Sequence, residues 1–319
     1  MLMVLNIALN VDANFIMTKV LISIVGPTAI GKTSLSIALA NYFKTEIVSS
    51  DSRQFFKEMQ IGTAAPTQEE LNAAPHHFIH HKSIVDDYNV GTFEKEAIEK
   101  LEKLFEKHHI VIMVGGSGLY VDAITKGLDD FPKVDSNIRQ KLKTQYDNEG
   151  LKPLQEQLEH LDLETYKTIA LDNPHRVMRA LEICIGTQQP YSSYLNKKKN
   201  KRPFKTLTIG LNADRETIYK RINERVDIMM EQSLLEEAKN LYKFKHLNSL
   251  NTVGYKELFN YFNGEWTLEF AVSEIKKNSR RFAKRQLTWF KKNEDTIWFD
   301  YQAPINTIIE AVNSKIKTL

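Results

Sequence analysis

The chain has 319 residues, 42% of them apolar, a formal net charge of +3 and a single cysteine, Cys184. That length leaves room for one large α/β domain with an insertion, or for two domains, around a sizeable core. One cysteine excludes an internal disulfide and a cysteine-built zinc site and fits a reducing cytoplasm. No apolar run approaches the ~20 residues of a membrane helix.

Residues 1–17 are mildly apolar, lack a basic start and contain Asp12 and Asn14. They read as a dispensable extension, not a signal peptide. "KVLISIV" (19–25) is a β-branched run of the kind that forms a buried parallel strand. A glycine-rich loop follows, then "SLSIALANYF" with apolar residues at helical spacing. "EIVSSD" (46–51) reads as a second buried strand, "TFEKEAIEKLEKLFEKHH" (92–109) as an amphipathic helix and "IVIMVGG" (110–116) as a third strand. Strands alternating with helices predict a doubly wound α/β sheet, with ligands at the carboxyl ends of its strands. Residues 134–203 carry only helical or loop signals and end in the charged run "NKKKNKRP", read as a mobile linker. "FKTLTIGL" (204–211) returns as a strand, and long helices follow. The expected organisation is a P-loop NTPase-like parallel sheet core, 18–133 and 204–319, with basic C-terminal helices and a helical insertion domain at 134–203. Cys184 lies in an apolar helical stretch and reads as a small buried hydrophobe.

Gly26, Pro27, Thr28, Ala29, Ile30, Gly31, Lys32 and Thr33 fit the complete P-loop pattern between a strand and a helix. Glycines let the backbone N–H groups turn inward on phosphates, Lys32 adds a point charge, the Thr33 hydroxyl is placed to ligate Mg²⁺, and the helix start adds its dipole. The competing reading is a glycine turn that binds nothing. An ATPase, a GTPase or a small-molecule kinase is the default for such a loop. Yet the strand that should end in an aspartate, "IVIMV", ends in Gly115-Gly116-Ser117-Gly118, and the available acid is Asp51.

The segment 276–293 holds Lys276, Lys277, Arg280, Arg281, Lys284, Arg285, Lys291 and Lys292 and no acid, which points to a polyanionic partner. On a helix the basic side faces away from Ile275, Phe282 and Trp289, which are expected to pack. A solvated basic face is the alternative. In "HHFIHH" (76–81), His77 and His81 have the spacing of helical zinc ligands, but no third ligand is placed by motif.

Eight collinear stretches go further: "GPTAIGKT", "VSSDSRQ" (48–54), "IGTAAPT" (61–67), "PHHF" (75–78), "VGGSGLY" (114–120), "NPHRVMRALE" (173–182), "TVGYKE" (252–257) and "AKRQLTWFKK" (283–292). Together they resemble the tRNA dimethylallyltransferase family, bacterial type, from about residue 19 to 299. The resemblance implies transfer of a dimethylallyl group from dimethylallyl diphosphate to the N6 amine of the adenosine 3′ to the anticodon, in tRNAs reading codons that start with U. It implies that the loop grips the donor's diphosphate, with Mg²⁺ as cofactor, rather than a nucleotide. Asp51 matches the family's aspartate and becomes the candidate general base and orienter for the amine proton, with Thr33 and Ser117 completing the catalytic set. A structural strand-end carboxylate or a metal ligand are the alternatives for Asp51.

The same resemblance assigns tRNA contacts to Asp51, Ser52, Arg53, Gln54, Ser117, Arg139, His175, Arg176, Val177, Met178, Arg179, Asn251, Thr252, Val253, Gly254, Tyr255, Lys256, Arg281, Lys284, Arg285 and Gln286. Ser117 stands where the family usually has threonine, His175 where glutamine is common, Lys256 where arginine is frequent and His80 where aspartate is frequent. The expected partners are the tRNA anticodon stem-loop and dimethylallyl diphosphate. No membrane is involved, and the chain is expected to act as a cytoplasmic monomer. Two other readings stay open: an enzyme prenylating free adenine nucleotides, and a non-catalytic P-loop binding module.

Overall fold

A computed structural model describes residues 18–195 and 201–319. The leader 1–17 and most of the charged run at 196–203 lie outside the described residues. The chain divides into two compact units, the first formed by residues up to Thr125 and from Arg202 onward, the second by Lys126–Lys201. The second unit thus opens before residue 134, at which the helical insertion was expected.

The first unit is built on six parallel strands: β1 (Val20–Val25), β2 (Ile47–Ser49), β3 (His76–His77), β4 (Ile110–Val114), β5 (Lys205–Asn212) and β6 (Ile297–Asp300), in the order β3-β2-β4-β1-β5-β6. All six residues of β1 are buried. Its side chains alternate between two cores, as strand geometry requires. Val20, Ile22 and Ile24 pack with the helices α1 (Lys32–Phe43), α9 (Arg215–Glu231) and α13 (Ile305–Ile316); Leu21 and Val25 pack with α3 (Val90–Leu104) and α4 (Gly118–Thr125). Each aliphatic side chain removed from water here contributes ~1.5–3 kcal/mol, so the central strand needs no polar face. β3 and β6 were not anticipated, since neither His76–His77 nor Ile297–Asp300 carries the aliphatic run that marks the other strands.

The short α2 (Gln68–Ala73) starts at a capping box made by Thr67 and Glu70. A third core joins α9 to α10 (Leu234–Leu241), α11 (Tyr255–Phe262) and α12 (Leu268–Phe290) through residues such as Leu234, Leu250, Tyr255, Leu258, Ala271 and Ile275. The second unit is helical: α5 (Ser136–Glu149), α6 (Lys152–Leu161), α7 (Leu163–Thr168) and α8 (Pro174–Thr187) close over Leu142, Leu154, Leu158, Val177, Leu181 and the buried Cys184. Where the first unit leaves and resumes, Arg202 ties the two chain segments together. Its Nε donates to the Ile124 carbonyl at 2.9 Å, and its Nη2 reaches the Ala123 carbonyl and Glu94. Among the described residues no helix is long and apolar enough to cross a membrane.

Candidate active site

The phosphate loop links β1 to α1. Gly26 and Gly31 have φ of 144° and 102°, conformations that side chains rarely adopt. A Cβ on Gly26 would also lie 2.5 Å from the Leu211 carbonyl oxygen of β5. Lys32 opens α1 and its ammonium donates to the Pro27 carbonyl at 2.6 Å. Burial depresses the Lys32 pKa to about 8, with Asp51 opposing that shift and Arg225 adding to it.

Asp51 follows the carboxyl end of β2. Its Oδ1 accepts from the Arg53 N–H at 3.1 Å, which closes a turn at residues 51–53. Ser117, just beyond β4, accepts from the Ser52 N–H at 3.0 Å and shares a second hydrogen bond of 3.0 Å with the Ser52 hydroxyl. The Gln54 amide donates to the Thr63 and Ala64 carbonyls, and the Arg53 guanidinium to the Asn248 and Ser249 carbonyls. The stretch 51–54 is therefore fastened to three neighbouring segments.

These pieces face one cavity of about 1090 Å³. It is lined by Thr28 to Thr33, Asp51 to Gln54, Ser117, Asn251 to Gly254, Lys256, Arg285 and Gln286, all expected from sequence. It is also lined by Arg221 and Arg225 of α9, which were not expected. Arg225 donates to the Thr28 hydroxyl at 3.2 Å and Arg221 to the Ala29 carbonyl at 2.7 Å. Burial lowers the Arg225 pKa, while Asp51 supports its charge. Each arginine lies one residue before a buried position of α9, Ile222 and Val226, and is itself partly buried, a placement that the mixed charges of the sequence around them do not show.

The structure corrects several expectations. The Tyr255 side chain is fully buried, and its hydroxyl donates to Glu237 at 2.6 Å. Glu237 also accepts from the N–H groups of Gln60, Ile61 and Gly62, so it anchors the loop beneath Tyr255. Gln286 is 5% exposed and belongs to the interior. Phe282, expected to pack, is 38% exposed, because the buried stripe of α12 runs through Ala271, Ile275, Ala283, Gln286 and Phe290. Lys276 pairs with Asp227, Lys277 with Glu274 and Arg280 with Asn223, leaving Arg281, Lys284, Arg285, Lys291 and Lys292 as the exposed basic residues of this segment. Trp289 is partly buried and donates to Asp122 at 3.0 Å.

In the second unit, His175 and Arg176 are exposed at the start of α8, but Val177 and Met178 are buried and serve its core. Arg139 and Arg179 converge on one oxygen of Glu182, at 3.2 and 3.0 Å.

The histidine run is not helical. His76 and His77 form β3, and His77 meets Glu46 at 2.7 Å. His80, at φ 48°, donates its backbone N–H to the Gln54 carbonyl. Among the described residues no group of three or more side chains is arranged to hold a metal. Mg²⁺ held by phosphates needs fewer protein ligands, and the Thr33 hydroxyl and Asp51 carboxylate on one cavity are hard oxygen donors that suit it.

A parallel sheet, a phosphate loop after its central strand and an acid after the second strand, set on one cavity, define a P-loop α/β protein. The family model for IPP transferase matches residues 54–293. The chain belongs to this family, the tRNA dimethylallyltransferases. It is 61% identical over 306 residues to the tRNA dimethylallyltransferase of Flavobacterium johnsoniae, covering 94% of this chain and 99% of that one. The crystal structure of the full-length tRNA isopentenylpyrophosphate transferase of Bacillus halodurans is similar at a TM-score of 0.69 and 36% identity, over 94% of this chain and 97% of that one. A eukaryotic dimethylallyltransferase acting on tRNA is similar at a TM-score of 0.78 and 27% identity, over 90% of this chain and 75% of that one.

Proposed function

We propose that the chain transfers a dimethylallyl group from dimethylallyl diphosphate to the N6 amine of the adenosine 3′ to the anticodon, in tRNAs reading codons that start with U. The products are N6-dimethylallyladenosine and diphosphate. The observation that carries this reading is the placement of Asp51 and the Lys32 loop on one cavity, with Asp51 acting electrostatically on both Lys32 and Arg225.

The chemistry has two demands. Diphosphate leaves well only if its growing charge is neutralised, and the loop amides, Lys32 and Arg225 face the place where that charge develops. Thr33 would hold Mg²⁺, which would supply further positive charge to the leaving diphosphate. The adenine amine is a weak nucleophile, because its lone pair is delocalised into the ring. Asp51 accepts its proton and orients it, while Ser117 holds the Asp51 turn. The adenosine leaves its stack to enter the cavity. The exposed cations of α12, with Arg139, His175, Arg176 and Arg179 in the second unit, follow the RNA backbone. The enzyme works in the cytoplasm as a monomer.

The test is incubation with labelled dimethylallyl diphosphate and either anticodon stem-loop RNA or AMP. Label on the stem-loop is the expected result. Label on AMP alone would make this a free-nucleotide prenyltransferase. No labelled product, with diphosphate still bound, would make it a binding module.

A further inference from the structure

Gln286 joins three parts of the active site. Its Oε1 accepts from the Thr28 N–H of the phosphate loop at 2.8 Å. Its Nε2 donates to the Gly116 carbonyl, in the loop after β4, at 2.9 Å. Its backbone belongs to α12, next to the exposed Arg285. A Cβ on Gly116 would lie 2.3 Å from Gln286 Nε2, so a side chain there would displace the amide, and 3.7 Å from Asp51 Oδ2. The amide is therefore wedged between the loop that grips phosphate and the backbone beside the proton acceptor.

Only a planar amide of this length offers an acceptor to one loop and a donor to the other. The bond to Gly116 is buried, so its loss leaves a buried carbonyl unpaired. Through these two bonds α12 holds both loops at once. RNA bound to Arg281, Lys284 and Arg285 acts on that same helix.

We propose that Gln286 is a positioning residue that couples RNA docking on α12 to the geometry of the phosphate loop and of the Asp51 side of the cavity. The inference rests on the tRNA-prenylating reading above. Because coupling between two ligands is reciprocal, RNA should change diphosphate affinity by the same factor as diphosphate changes RNA affinity, typically ~5–150-fold in coupled systems.

The variants are Gln286→Met, which keeps the length and removes both hydrogen bonds, and Gln286→Glu, which keeps the acceptor and turns an oxygen toward the Gly116 carbonyl. Calorimetry gives the Kd of inorganic diphosphate with and without saturating anticodon stem-loop RNA, and labelled donor gives kcat and donor KM. Wild type should show the coupling. Folded Q286M should lose it, bind the stem-loop alone as wild type does, and turn over ~10–100-fold more slowly. Coupling retained in a folded variant, or none in wild type, would overturn the proposal. If Q286M does not fold, Q286E is read in the same way. If neither folds, Gln286 is a packing residue and the proposal falls. Failure of wild type to label RNA at all would instead strike the functional reading.

Discussion

Replacing Asp51 by Asn removes the charge and the proposed proton acceptor but keeps an oxygen for the Arg53 N–H, now bonded at 3.1 Å, so the turn should persist. Loss of a positioned acid–base group costs ~10²–10⁴-fold in rate, or about 3–5 kcal/mol at ~1.4 kcal/mol per decade. Donor binding should respond differently. Asp51 is an anion beside Lys32 and Arg225, so its removal relieves repulsion toward diphosphate. It also removes support for the ammonium of Lys32, whose pKa is about 8. These effects oppose each other, and bound diphosphate restores the Lys32 proton, so donor KM should stay within a few-fold at pH 7. The assay is single-turnover labelling of stem-loop RNA against donor concentration, with RNA affinity measured in parallel. A rate within ~10-fold of wild type, or a loss carried wholly by donor KM, would take proton acceptance away from Asp51.

Lys32→Ala should weaken diphosphate binding and leave stem-loop affinity alone, and Arg225→Gln should do the same by ~10–100-fold, the value of a charge-assisted contact; calorimetry on each ligand separately checks both. Changing Arg281, Lys284 and Arg285 together to Gln should flatten the salt dependence of tRNA binding by about 0.7–0.9 in slope per lost phosphate contact, and donor KM at saturating tRNA should move toward its value without RNA, since the coupling through Gln286 starts from these contacts; an unchanged slope in a folded variant would mean that α12 does not follow the backbone. His81, packed edge-on against Phe55, Phe78 and Tyr88, has its pKa pushed down to about 4, chiefly by burial. The unfolded chain takes up that proton near pH 6.5, so stability should be full above ~6.5 and fall by about 3 kcal/mol at most as pH drops toward 4. Denaturant melts of wild type and His81→Phe over this range should show the variant's decline to be shallower.

The phosphate loop, the strands β1, β2, β4 and β5, and Asp51 were legible because each carries its signal locally: a fixed spacing, a β-branched run, an acid at a strand end. Burial within a helix was less legible. Motif position grouped Tyr255 and Gln286 with RNA contacts, yet the same stretches must also bind the loops together, and only packing separates the two tasks. Phe282 erred the other way, since a one-residue rotation on α12 separates the stripe of Ala283 and Gln286 from solvent. Arg221 and Arg225 sit in "KRINERVD", whose mixed charges look like an exposed helix face. Their role appears only when α9 is laid beside the phosphate loop.

Arg202 gives the sheet-bearing unit its own latch. By holding the segments that flank the second unit, it lets the host fold close whatever is spliced between them. Doubling or halving an insert changes loop-closure cost by only ~0.6 kcal/mol, less than the ~1.5–3 kcal/mol of one charge-assisted bond of the kind Arg202 makes. The inserted helices are thus an exchangeable cassette. Selection can lengthen, shorten or resurface them to suit a different RNA without renegotiating the core in which the bond is made.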